Sequence, residues 1–192
     1  MIANHIYHVY NRGINREKLF YSDENYEFFL SKVRRYIGCC SEIIGYCLMP
    51  NHFHLLLLLT DESLAPRLNK DEPISFLNQS NFSFGLKQVL SSYTKAINVQ
   101  NDRTGSLFQQ NTKRKNTGSG DMSSYALWCL HYIHMNPVEA GFASHPSEWK
   151  YSSYNEYFGE VMRPLCDLKL GKELLYLGIN DLRVDKILNE PF

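Results

Sequence analysis

Two histidines separated by one residue, His52 and His54, head a leucine run in G-Y-C-L-M-P-N-H-F-H-L-L-L-L-L-T, residues 45–60. In a strand, side chains alternate between faces with a period of two. His52, His54, Leu56 and Leu58 then share one face, and Phe53, Leu55, Leu57 and Leu59 share the other. Apolar residues on both faces predict a central strand covered on both sides. Paired imidazoles at one end of such a strand can hold a divalent cation if a third donor arrives from another element. They can equally be two rim histidines, each hydrogen-bonded to a neighbour, because H-x-H is short and common.

A third donor is available further along. In M-S-S-Y-A-L-W-C-L-H-Y-I-H-M-N, residues 122–136, Tyr132 and Asn136 lie four apart and therefore on one helical face. The carboxamide oxygen of Asn136 could join His52 and His54 around an ion, with the phenol of Tyr132 close by. His134 points elsewhere. The competing reading is packing: Tyr125, Trp128, Cys129 and Tyr132 recur at i, i+3, i+4 and i+7, the spacing of a core stripe. Tyr93, in S-S-Y-T-K, is a rival nucleophile, but position 97 is Ile and supplies no ligand four residues on.

The elements that must position these groups follow from periodicity. Residues 5–10, H-I-Y-H-V-Y, read as a strand with Ile6, His8 and Tyr10 on one face. A helix capped by Ser22 or Asp23 runs to about Ile37, with Tyr26, Phe29, Leu30, Val33 and Ile37 at helical spacing. Residues 42–48 form a second strand, and Met49-Pro50-Asn51 turns it into the histidine strand as an antiparallel hairpin. Residues 61–80 lack periodicity and read as a long loop or insertion. Residues 82–98 form the next helix, and 106–115 a fourth strand ending in Lys113-Arg114-Lys115. The helix bearing Tyr132 should stop at about Asn136, because the residue before Pro137 avoids the α region. The order β-α-β-β-α-β plus one helix predicts an α+β, ferredoxin-like fold: one antiparallel four-stranded sheet with helices on one face. A catalytic domain over 1–155 and a mostly helical extension over 156–192 are expected.

The 192 residues balance 20 Lys and Arg against 20 Asp and Glu. That excludes a uniformly basic surface but leaves room for a local basic groove. Five cysteines without C-x-x-C spacing read as reduced thiols in a cytoplasmic protein. The longest apolar run, residues 55–59, is far too short to span a bilayer. A zinc hydrolase would want a carboxylate base beside its ligands, as in H-E-x-x-H. The nearest acids in sequence are Glu42 and Asp61, ten and seven residues from the pair.

Four blocks in order, Y-H-V-Y-N-R-G, Y-C-L-M-P-N-H-F-H-L-L-L, Y-I-H-M-N-P-V-E-A-G and W-K-Y-S-S-Y, span residues 7–154. Together they resemble the single-tyrosine HUH transposases, in particular the REP-associated tyrosine transposases. The resemblance implies a metal-dependent single-strand DNA endonuclease and strand transferase that forms a 5′-phosphotyrosine. It puts the metal pair on His52 and His54, the nucleophile on Tyr132, and Asn136 where related enzymes carry a metal-binding Gln. It implies Mg2+ or Mn2+, hairpin-flanked single-stranded DNA as partner, and a monomer or homodimer. Arg12, Arg16, Lys113, Arg114 and Lys115 are the candidate DNA-backbone contacts, and Tyr7, Tyr10 and Phe108 the candidate stacking residues. The other reading is a domesticated, catalytically silent single-strand-binding module of the same fold.

Overall fold

The leucine strand lies in the interior of a four-stranded antiparallel sheet. The computed structural model describes residues 1–67, 79–119 and 124–173. The strands are β1 (His5–Arg12), β2 (Ser41–Met49), β3 (His52–Leu59) and β4 (Lys113–Ser119), in the order β2-β3-β1-β4. Helix α1 (Asp23–Tyr36) joins β1 to β2, and α3 (Asn81–Gln100) joins β3 to β4. This is the ferredoxin-like order. A further helix, α4 (Ser124–Glu139), follows β4.

The two faces of the sheet are covered by different helices. Phe53, Leu55, Leu57 and Leu59 of β3 pack with Tyr7 and Val9 against Phe29, Val33 and Ile37 of α1. Phe82, Leu86, Val89, Tyr93 and Ile97 of α3 complete that core. On the opposite face, Ile6, Ile44 and Leu56 meet Ala126, Cys129, Leu130 and Ile133 of α4. The two helices of the β-α-β-β-α-β unit thus share one face, and the additional helix covers the other. β3 is greasy on both sides, and leaving Leu56 exposed would forfeit roughly 1.5–3 kcal/mol of burial. Gly45 lets α4 come close: a Cβ there would stand 2.4 Å from Cδ1 of Leu130.

Two boundaries differ from the sequence reading. β4 begins at Lys113 instead of ending there, and residues 106–112 form a loop anchored by Phe108 in the core. α4 runs through Pro137 to Glu139. The missing proline N–H costs little in the last turn, where a Schellman closure takes over. Phe142 N–H donates to Pro137 O and Gly141 N–H to Val138 O, with Gly141 at φ +72°.

The long 61–80 segment has a closed neck. α2 (Asp61–Leu64) opens it with a Thr60/Ser63 capping box. Pro66 then bridges Ser80, and Arg67 N–H donates to Gln79 O. The expected loop interior, residues 68–78, lies outside the described residues.

The W-K-Y-S-S-Y block lies along the outer edge of β2. Leu48 N–H donates to Tyr151 O, and Ser153 N–H to Tyr46 O. Helix α5 (Tyr154–Phe158) follows, so the expected boundary at 155/156 falls inside a helix. Glu156 holds the next segment, accepting hydrogen bonds from Tyr46 Oη and from the amides of Leu165 and Cys166. Residues 168–173 are helical, and the rest of the predicted extension, 174–192, lies outside the described residues. Among the described residues no helix is long and apolar enough to cross a membrane. All five cysteines are free thiols.

Candidate active site

Register decides which side chains meet. In the β1–β3 pair, Tyr10 faces His54, Arg12 faces His52 and His8 faces Leu56. His8, Tyr10, His52 and His54 thus share the α4 side of the sheet. One helical turn places Tyr132 and Asn136 over the same spot. The ring of Tyr132 lies edge-on to His54, with centroids 5.6 Å apart. Tyr10, Arg12, His52, His54, Lys113 and Tyr132 all line one cavity of about 330 Å3.

His52 has oxygens at both ring nitrogens: Asn51 Oδ1 at 2.7 Å from Nδ1, and Asn136 Oδ1 at 3.1 Å from Nε2. A neutral imidazole carries one N–H and can donate to only one of them. Burial lowers the His52 pKa, opposed by Asn136 and reinforced by Arg12, so the ring is neutral at pH 7. With Nδ1–H donating to Asn51, the Nε2 lone pair faces the amide oxygen of Asn136. Asn136 also hydrogen-bonds the Tyr132 phenol, which directs its Nδ2 there and its Oδ1 to His52.

In that tautomer the two acceptors could hold a cation together; in the other, Nε2–H donates to the Asn136 oxygen. His54 supplies a third donor. Its Nδ1 is 2.8 Å from His8 Nε2, while its Nε2 is buried with no hydrogen-bond partner. Burial, then His8, His52 and Arg12, hold the His54 pKa well below its ordinary value. Imidazoles must be neutral to bind metal. Among the described residues, no group of three or more His, Cys, Asp and Glu is placed to hold an ion. The donor set that fits is therefore two imidazole nitrogens and one amide oxygen.

The phenol of Tyr132 is half-buried. Burial raises its pKa and the Asn136 hydrogen bond opposes that rise. Trp128 stacks on one face of the ring at 5.6 Å, and Tyr125 stacks in turn on Trp128. The i, i+3, i+7 aromatic pattern of α4 is thus a partly exposed ladder, and the core stripe is made by its smaller neighbours. Tyr93 is fully buried and donates to Leu19 O, so no substrate reaches it. His134 faces away and lies 2.9 Å from Ser153 Oγ.

The basic candidates divide among several surfaces. Lys113 and Lys115 lie on the histidine face of β4, whereas Arg114 projects to the α3 side, over Phe82. Arg12 and Lys113 enter the cavity; the Arg16 side chain does not. Arg114 instead lines a second hollow of about 1290 Å3 between α3 and residues 105–112, with Lys87, Lys95 and Arg103. Gln109 and Asn111 line both, so the two hollows are neighbours. Of the stacking candidates, Tyr10 lines the cavity. Tyr7 is buried in the core, whereas Phe108, largely buried, lines the second hollow.

His8 is the site residue that sequence reasoning passed over. Its signal was present: the 5–10 alternation puts it on the face of Tyr10, and the strand order puts that face beside His54.

No protein-family model matches the chain, and no curated protein matches its sequence. Among solved structures, a REP-associated tyrosine transposase bound to a REP hairpin is similar with a TM-score of 0.60. The match covers 85% of each chain at 16% identity. At that identity the likeness establishes a common fold.

Proposed function

We propose that this chain is a divalent-metal-dependent, single-strand-specific DNA endonuclease and strand transferase that acts through a Tyr132 phosphodiester. The observation that carries the reading is that His52, His54 and Tyr132 line one cavity, with Asn136 Oδ1 3.1 Å from His52 Nε2 and the buried His54 Nε2 without a hydrogen-bond partner. The shared fold with a tyrosine transposase supports it.

When bound by those three atoms, Mg2+ or Mn2+ would polarise a non-bridging phosphoryl oxygen and offset charge developing in the transition state. The chain's own residues do the rest. Asn136 Nδ2 holds the phenol in a fixed orientation. Arg12 and Lys113, in the same cavity, would draw the phosphate in. Tyr132 Oη then attacks phosphorus and forms a P–O bond. The bond to the 3′ oxygen breaks, and that oxygen leaves with the electron pair and takes up a proton. A phosphodiester replaces a phosphodiester, so attack by a free 3′ hydroxyl can reverse the step and join strands.

A single strand suits this site because the cavity lined by His52, His54 and Tyr132 is small, about 330 Å3. The neighbouring hollow, lined by Lys87, Lys95, Arg103 and Arg114, would take the phosphate backbone on its way to the site. Neutral overall charge and a local basic channel are compatible.

The test is a covalent adduct. Wild-type protein with a labelled, hairpin-flanked single strand and Mn2+ should give a nick and a protein–DNA band resistant to denaturant. Tyr132→Phe should bind the strand equally and give neither. Cleavage surviving that substitution would remove Tyr132 from the role. Binding by wild type with no adduct in either metal would favour the silent binding module.

A further inference from the structure

His54 is held by another histidine. Metal-bound imidazoles ordinarily donate their second N–H to a carboxylate, a backbone carbonyl or water, which fixes tautomer and ring orientation. His52 has such a partner in Asn51. For His54 the place is taken by His8, whose Nε2 lies 2.8 Å from His54 Nδ1. Both rings are buried, and their planes are 27° apart with centroids at 5.0 Å. The remaining nitrogen of His54, Nε2, is enclosed without a hydrogen-bond partner.

One proton lies between His8 and His54, and it can sit on either ring. If it sat on His8 Nε2, a neutral His54 would carry its proton on Nε2. That would bury an unsatisfied N–H, at a cost of about 1–3 kcal/mol, and block metal binding. If it sits on His54 Nδ1, the Nε2 lone pair is left for an ion and the buried polar atom acquires a purpose. We infer that His8 is a positioning residue: it accepts a hydrogen bond from His54 Nδ1–H and thereby presents the His54 Nε2 lone pair to the metal.

The arrangement has a chemical consequence. A histidine acceptor carries no formal charge, unlike the usual carboxylate. With Asn51 behind His52 and an amide as the third ligand, both shells stay neutral. The ion would keep nearly its full charge for the phosphate.

This inference rests on the metal reading above, and its test separates the two. Long-range nitrogen–proton correlation spectra of metal-free protein, labelled at histidine, report which ring nitrogen of His54 carries the proton. The Nδ1–H form is expected in wild type, and the Nε2–H form in His8→Phe. Mn2+ titration followed by electron paramagnetic resonance of the free ion should show His8→Phe weakened by about 10–100-fold. His8→Gln, whose side-chain oxygen reaches near the position of His8 Nε2, should stay within a few-fold of wild type. Near-ultraviolet circular dichroism establishes folding, and if His8→Phe does not fold, the wild-type tautomer and His8→Gln decide. An Nε2–H tautomer in wild type overturns the assignment. So does a folded His8→Phe with wild-type Mn2+ affinity. The Nδ1–H tautomer without any Mn2+ uptake would overturn the metal reading and leave the hydrogen-bond assignment standing.

Discussion

His134 gives a pH dependence that needs no assumption about catalysis. It sits on α4 between Tyr132 and Asn136, is 5% exposed, and lies 2.9 Å from Ser153 Oγ. Ser153 in turn donates to Tyr46 O and accepts from Tyr46 N–H, so this chain of contacts ties α4 to β2. Burial, with a smaller contribution from His131, pushes the His134 pKa down to about 3 from an ordinary 6.5. The sign follows: the native ring stays neutral below pH 6.5 while the unfolded one takes up a proton. Stability is fully present above pH 6.5 and drains away as pH falls towards the folded pKa. Each pH unit in that window costs about 1.4 kcal/mol, so His134 alone removes about 2 kcal/mol between neutrality and pH 5. The figure depends little on the folded pKa, provided it lies well below 5. The assay is urea unfolding of wild type and His134→Gln from pH 7.5 to 5. Gln keeps an amide for Ser153 but cannot titrate. The gap in stability between the two proteins should shift by about 2 kcal/mol in favour of the variant on acidification. A gap that stays constant across the range would refute the reasoning. Other buried histidines, His8 among them, titrate in both proteins and cancel in the comparison.

Three further outcomes follow from the geometry. Gly45→Ala pushes Cβ into Leu130 and α4 off the sheet; it should cost about 1–3 kcal/mol and reduce cleavage more than DNA binding. Leu130→Val in the same chain should recover part of the loss, and an unaltered Gly45→Ala would refute the close-packing argument. The proposed ligand set carries no charge, so Mn2+ should bind Tyr132→Phe on the order of tenfold more tightly when the single strand is present. Equal affinities by calorimetry would count against a metal–phosphate contact, and chelation should abolish the nick. Removing two channel charges, Lys95→Ala with Arg114→Ala, should flatten the salt dependence of strand binding by about 0.7 per charge. An unchanged slope would place the backbone elsewhere.

The sequence was most legible where hydrophobic period dominates. The unbroken leucines of β3 announced a strand buried on both faces, and α1 and α3 followed their helical stripes. Reading failed where another constraint overrode the local rule. Lys113-Arg114-Lys115 has no apolar alternation, so it looked like the frayed end of a strand led by Leu107 and Phe108. Phe108 is instead a plug that drops into the core from a loop, and β4 draws its pairing from β1. Pro137 signalled a stop that holds for helix interiors but weakens in a last turn closed by Gly141.

The candidate site was half legible for a related reason. His52, His54, Tyr132 and Asn136 are each visible in a short window of one element. His8 is visible only through register: it lies diagonal to His54 because Tyr10, two residues on, is the partner of His54. That relation crosses from one strand to another and depends on β1 lying next to β3. The position of α4 is equally non-local. Nothing within residues 124–139 says which face of the sheet it will cover. The choice is made by the apolar Leu56 and Ile44, which α4 buries, and by the absence of a side chain at Gly45. Tyr132 is therefore positioned in part by a glycine on β2, an element that contributes no group to the candidate site. Substitutions on that strand should disturb the meeting of phenol and imidazoles as surely as substitutions among them.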